Sequence, residues 1–338
     1  MSEAKQEIQP LQIELEQFDD ELGNMSKKHP RSRNKPPGVV VLLVLICAIL
    51  SISVIGYLVS DTDQNADIIG VETDDTEERE RKDPISPKFI VNMTDGIMYQ
   101  TIGDPMQHDK THFTQGLTYS KHSDMLFESN GLYGKSSVCK IDPYTGEEIL
   151  CVKMENRYFA EGMQVYGNPG DEKLIQITWK SQDGFIYDAE SLALIKTFRF
   201  STTRNEGWGI CYDDNKNEFI VSDGSSYLHF WDADSLEEKR KVQVTRQNGK
   251  AAEEINELEF VNGVVLANIW FKDVILVIDP TSGECLSEYD MSNIWPKLDR
   301  KKEGADVLNG ISISKDEDVF YITGKKWNRM FRLKFEGL

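Results

Sequence analysis

From about residue 97 to the end of the chain, apolar and polar residues alternate in short runs such as "FTQGLTY" (113–119), "LIQITW" (174–179) and "DVILVIDP" (273–280). A period of two puts successive side chains on opposite faces of a strand, and the Gly, Asn and Asp clusters between runs read as turns. No stretch holds a 3.6-residue apolar period over a useful length, which excludes a helical solenoid.

The alternation repeats on a larger scale. "DPYTGEEILCV", "DAESLALIKTF", "DADSLEEKRKV" and "DPTSGECLSEY" begin at Asp142, Asp188, Asp232 and Asp279, spaced 46, 44 and 47 residues apart. A second register recurs in "FTQGLTY", "AEGMQVY", "GWGICYD", "INELEFV" and "LNGISIS", placing Gln115, Glu161, Trp208, Asn256 and Asn309 at spacings of 46, 47, 48 and 53. A period in the mid-forties with three or four strands per unit is the signature of a propeller blade. The expected fold is therefore all-β, a five-bladed propeller over residues 86–338. The fifth unit ends at "NRMFRLKF" without a last strand, and residues 96–103, "GIMYQTIG", are placed to supply it and close the ring.

In such a ring, residues in one register of the innermost strands converge on the axis. Gln115, Glu161, Trp208, Asn256 and Asn309 form one such set, and 13 to 18 residues further on stand Glu128, Trp179, Asp223, Trp270 and Lys325. Tryptophan in a β protein is most often core, but three at matched positions point to a site wall. Asn256 also fits a turn making local backbone bonds. Of Lys325 and Lys326, alternation sends one the other way. Glu161, between Ala160 and Gly162, would be partly dry, which raises a carboxyl pKa and suits a proton shuttle; a carboxylate satisfied by backbone N–H groups is the plainer reading.

The first 85 residues have a different texture. Val39 to Val59 are 21 uncharged, mainly apolar residues, enough at helical rise to cross a hydrocarbon layer of roughly 30 Å. Lys27, Lys28, Arg31, Arg33 and Lys35 precede them and acids follow, so the positive-inside bias expects a type II signal-anchor. Residues 1–38 then form a disordered cytosolic tail, 39–59 a transmembrane helix and 60–85 an acidic flexible stalk. The propeller would face the lumen of the endoplasmic reticulum or Golgi, or the cell exterior. On that side "NMT" at Asn92 is a glycosylation sequon. Cys139 and Cys151 lie six residues either side of Thr145, so a hairpin turning at "PYTG" would oppose them, and a disulfide is expected. Nothing local pairs Cys211 with Cys285.

The formal net charge of −19 argues against a nucleic-acid surface. There is no GxSxG, HExxH, paired CxxC or Walker loop. His108, His112 and His122 are near in sequence but match no standard zinc spacing, so no metal or cofactor is expected.

The motifs "FTQGLTY", "LFESNGLYGKSSV", "AEGMQVY", "ITWKSQDGFIYD", "EGWGICYD", "INELEFVNGVVLANIW" and "YITGKKW" resemble, in order and in every blade, the plant-type glutaminyl-peptide cyclotransferases, over residues 97 to 335. The resemblance implies a five-bladed propeller enzyme that cyclises the N-terminal Gln of peptides or proteins to pyroglutamate with loss of ammonia. It places the essential acid at Glu161 and other pocket residues at Phe113, Gln115, Phe159, Trp179, Trp208, Asn256, Trp270 and Lys325. Glu128, Asp223 and Asn309 rest on the repeat register alone. The family often has Gly where Ala160 stands, and the loop "YGNPGDEK" is lengthened. The competing expectations are a non-catalytic propeller that binds peptides or proteins, and a metal-dependent lyase or sugar-modifying propeller.

Overall fold

The computed structural model describes residues 99–338. The expected tail (1–38), membrane span (39–59), stalk (60–85) and Asn92 sequon lie outside the described residues. Among the described residues no helix is long and apolar enough to cross a membrane.

Five antiparallel sheets follow one another along the chain. The first holds β3 (Thr114–Ser120), β4 (Met125–Asn130), β5 (Ser137–Ile141) and β6 (Glu148–Lys153). The second holds β7 (Ala160–Asn168), β8 (Asp171–Thr178), β9 (Asp183–Asp188) and β10 (Leu194–Arg199). The third holds β11 (Ile210–Asp213), β12 (Glu218–Val221), β13 (Tyr227–Asp232) and β14 (Glu238–Gln243). The fourth holds β15 (Ile255–Val261), β16 (Val264–Ile269), β17 (Val274–Ile278) and β18 (Cys285–Asp290). The last blade is β19 (Leu308–Ile313), β20 (Val319–Gly324) and β21 (Arg329–Phe335), completed by strands from the other end of the described chain. There β1 (Tyr99–Thr101) pairs with the end of β21, Tyr99 opposite Phe335, and β2 (Met106–Gln107) with its start, Met106 opposite Met330. The expected ring closure by residues 96–103 is thus met in β1. The innermost strands β3, β7, β11, β15 and β19 pack on one another in a closed cycle around the axis.

The Asp-led repeat is a recurring turn. The Oδ1 atoms of Asp142, Asp188, Asp232 and Asp279 accept backbone N–H groups two or three residues on. The carbonyl of the same Asp accepts from the residue four on, in each case a left-handed one: Gly146, Leu192, Leu236 and Gly283. Side-chain capture of this kind is why Asp leads a turn. Two blades place Leu where Gly is easiest, and burial of Leu192 and Leu236 between blades offsets the backbone cost.

Apolar alternation builds a core at each blade interface. Phe127 and Val138 of the first blade meet Met163, Leu174 and Phe185 of the second. Ile175 and Phe200 meet Phe219 and Trp231. Cys211 and Phe230 meet Leu258 and Val265. Leu266 and Val277 meet Phe320 and Leu333. Leu117 and Leu126 meet Tyr321 and Met330, which closes the circle. Cys139 and Cys151 oppose one another across β5 and β6 and are disulfide-bonded, as the hairpin spacing predicted. Cys211 and Cys285 are free and buried.

The longest repeat spacing, 53 residues, is explained by α1 (Lys297–Glu303), inserted before β19. It ends at Gly304 in the left-handed conformation. Its buried Arg300 bonds both oxygens of Asp273 and lies against the Trp327 ring.

Candidate active site

At the same rung of four inner strands the pairing with the second strand slips. The irregularities fall between Thr114 and Gly116, Ala160 and Met163, Ile255 and Leu258, and Leu308 and Ile311. A bulge of this kind bends the strand and re-aims a side chain. The residues it holds are Gln115, Glu161, Asn256 and Asn309, all buried. The third blade reaches the same rung differently. Trp208 lies just before β11, and backbone bonds with Ser222 hold it and Gly209.

Glycines let these rungs close in. A Cβ on Gly116 would sit 2.4 Å from the Met163 nitrogen, one on Gly162 2.7 Å from the Ile210 nitrogen, and one on Gly209 2.1 Å from the Asn256 carbonyl. Neighbouring backbones therefore touch where a side chain would separate them. In the fourth blade the same position carries Glu257, whose carboxylate accepts the N–H groups of Leu117 and Ile311 on other inner strands. Burial, with Glu259 nearby, pushes the Glu257 carboxyl well up.

The axial amides form a chain. Asn309 Nδ2 donates to the Thr114 carbonyl at 2.9 Å and to Gln115 Oε1 at 3.5 Å. Gln115 Nε2 in turn donates to Glu161 Oε1 at 3.2 Å. The Oδ1 atoms of Asn256 and Asn309 are buried without a hydrogen-bond partner among the described residues. Glu161 is 5% exposed. Burial pushes its carboxyl well up; Lys325 draws it back in part and Glu206 adds to the rise. Lys325 is buried, its Nζ 4.9 Å from the Phe113 ring centre and 5.9 Å from that of Trp270, whereas Lys326 is half-buried with a left-handed backbone.

Aromatic rings wall this centre, meeting edge to face. Phe159 meets Phe113 at 6.1 Å, Tyr133 at 5.4 Å and Trp179 at 5.4 Å, and Trp208 meets Trp270 at 5.3 Å. Trp208 is buried, while Trp179 and Trp270 are half-exposed. The indole N–H groups of Trp179 and Trp208 both donate to one oxygen of Glu206, at 2.8 and 2.9 Å.

The fold therefore gathers Phe113, Gln115, Phe159, Glu161, Trp179, Trp208, Asn256, Trp270, Asn309 and Lys325 around one end of the axis. Two expectations drawn from register alone need correction. Glu128 shares a face of β4 with Leu126, toward the fifth blade, and is fully buried between His108 Nε2 at 3.0 Å, His112 Nδ1 at 2.7 Å and Thr114 Oγ1 at 2.6 Å. The fold thus gathers two histidines whose spacing carried no signal. Asp223 is spent on the N–H groups of Arg204 and Ser225, the Ser225 hydroxyl and His229. Both carboxylates are satisfied locally and neither extends the pocket.

Glu206 and Tyr133 were missed. Both lie in loops where strand register says nothing, although "EGWG" puts Glu206 two residues before Trp208.

A model of the glutamine cyclotransferase family matches residues 85–335. The glutaminyl-peptide cyclotransferase of Arabidopsis thaliana is 38% identical over 230 residues, covering 68% of this chain and 69% of the relative. The crystal structure of Myxococcus xanthus glutaminyl cyclase superposes with a TM-score of 0.60 at 31% identity, over 70% of this chain and 96% of that one. Family match, sequence identity and superposition agree, and the chain belongs to the glutamine cyclotransferase family.

Proposed function

We infer that this protein is a glutaminyl-peptide cyclotransferase, converting N-terminal glutamine of peptides or proteins to pyroglutamate with release of ammonia. The observation that carries the mechanism is Glu161, a dry carboxyl at the axis with amides, a lysine and aromatic rings around it.

Nucleophile and electrophile belong to one residue, so the protein's work is folding them together and moving protons. The aromatic wall favours the compact, nearly cyclic conformer. The bare Oδ1 atoms of Asn256 and Asn309 suit a substrate whose amine and carboxamide are both N–H donors. The neutral α-nitrogen adds to the carboxamide carbon, forming the ring bond and an oxyanion that Lys325 and the Asn256 amide would steady. Glu161 begins as the protonated acid. It gives its proton to the leaving nitrogen, the carbon–nitrogen bond breaks, and ammonia departs. The carboxylate then takes the surplus proton from the ring nitrogen, which restores the starting state.

This order sets the pH dependence. A free α-amine has a reference pKa of about 7.7–8.0, so kcat/KM rises through that range as the nucleophile loses its proton. It falls again as Glu161 loses its own proton, at a pH above the ordinary carboxyl range because burial holds that proton on. A profile measured with a Gln-initiated peptide tests this. Rate loss setting in at the ordinary carboxyl pKa would mean that Glu161 does not act from its acid form.

The membrane reading remains part of the proposal. The 21-residue apolar run at 39–59, its basic N-terminal flank and the Cys139–Cys151 disulfide, which persists where thiols are not kept reduced, support a type II anchor with a lumenal or extracellular propeller. Glycosidase treatment of membrane-expressed protein is expected to shift its mass, and Asn92→Gln to abolish the shift. A propeller digested by protease in sealed microsomes would sink this topology.

A further inference from the structure

The pocket holds a second carboxylate that the mechanism above leaves unused. Glu206 is half-buried on the loop before β11, its backbone tied twice to Thr202: the Thr202 hydroxyl accepts the Glu206 N–H and donates to its carbonyl. Its Oε2 takes both indole N–H groups, from Trp179 of the second blade and Trp208 at the entry to the third. Its Oε1 takes no hydrogen bond from the described residues. An indole N–H can only donate, so each ring needs an acceptor at a fixed place, and one oxygen serves both. Two side chains from successive blades are thereby tied to one carboxylate oxygen.

We propose that Glu206 is a positioning residue for the cyclisation, orienting Trp179 and Trp208 as a pair. The proposal rests on the cyclotransferase reading and deepens it. Three titratable groups are in electrostatic reach of Glu161: Lys325 from the turn after β20, Glu206 from the loop before β11, and Tyr133 from the loop after β4. Lys325 favours the carboxylate form of Glu161, and Glu206 opposes it. A buried acid kept protonated between a cation and an anion responds to either neighbour, and the sign of each response is fixed.

Two variants separate geometry from charge. Glu206→Gln keeps side-chain length and an acceptor oxygen but removes the negative charge. Glu161 then loses its proton more easily, so the alkaline limb of kcat/KM moves to lower pH. Glu206→Ala removes the acceptor too, and kcat/KM falls about ten- to a hundredfold, as expected when a substrate wall loses its geometry. Acrylamide quenching of tryptophan emission in the full-length protein reports the indoles without turnover, with quenching increased in Glu206→Ala and close to wild type in Glu206→Gln. An unmoved alkaline limb in Glu206→Gln overturns the proposal. So does a Glu206→Ala protein whose only change is a lower Tm, with wild-type kinetics per folded molecule and wild-type quenching. A wild-type chain releasing no ammonia would count against the cyclotransferase reading, while the quenching data would still decide whether Glu206 holds the two tryptophans.

Discussion

Glu161→Gln is expected to lower ammonia release from a Gln-initiated peptide by about 10²–10⁴-fold, the usual range for a lost acid–base group. The amide is close to the same size and its oxygen still accepts the 3.2 Å hydrogen bond from Gln115, so the axial chain of amides is kept. It has no proton to give the leaving nitrogen. Burial already pushes Glu161 toward its neutral form, so a neutral replacement brings no new desolvation cost and folding should be preserved. The effect should therefore appear in kcat, with circular dichroism and Tm near wild type. Activity per folded molecule within tenfold of wild type would contradict the assignment.

The second large effect is on stability. Glu128→Ala leaves His108, His112 and the Thr114 hydroxyl facing a void where a fully buried carboxylate stood. Removing one partner from a buried charge cluster costs about 3–5 kcal/mol, or roughly 6–20 °C in Tm for a domain of this size. The cluster also has a pH signature. Burial pulls His112 down, but Glu128 and then Glu148 outweigh it and raise it from 6.5 to about 9. A raised histidine contributes stability in full below its unfolded value near 6.5, and that contribution is lost as pH climbs through about 9. Wild-type Tm should accordingly fall over this alkaline window, and the fall should be largely absent in Glu128→Ala. Equal alkaline loss in both proteins would show that the cluster is not its source.

These two carboxylates also mark where sequence reading works and where it stops. Period, Asp-led turns and alternation were enough for five blades, ring closure and the Cys139–Cys151 hairpin, because each depends on spacing along the chain. The inner rung was legible for the same reason, and its bulges turn Gln115, Glu161, Asn256 and Asn309 together. Counting onward to the next strand gives depth along a blade but not the face a side chain takes, so Glu128 was read into the pocket while it points to the fifth blade. Glu206 was missed because two indole N–H groups sharing one oxygen leave no pattern in the chain. Glu257 and Glu259 lie in "INELEFV", outside the register position that marks Asn256. In the fold they meet the N–H groups of Leu117, Ile311 and Ile313 on neighbouring inner strands. A closed ring makes the polar face of its innermost strands an interior, which a two-state alternation cannot distinguish from solvent.

The central claim is that the free α-amine of an N-terminal glutamine attacks that residue's own side-chain carboxamide. Mass spectrometry of two peptides, one beginning with free Gln and one with the same Gln acetylated at its α-nitrogen, tests it most directly. With the full-length wild-type protein, the free peptide should lose about 17 Da, one ammonia, and the acetylated peptide should keep its mass, because tethered attack requires the free amine. An unchanged free peptide, or equal loss from both, would contradict the account.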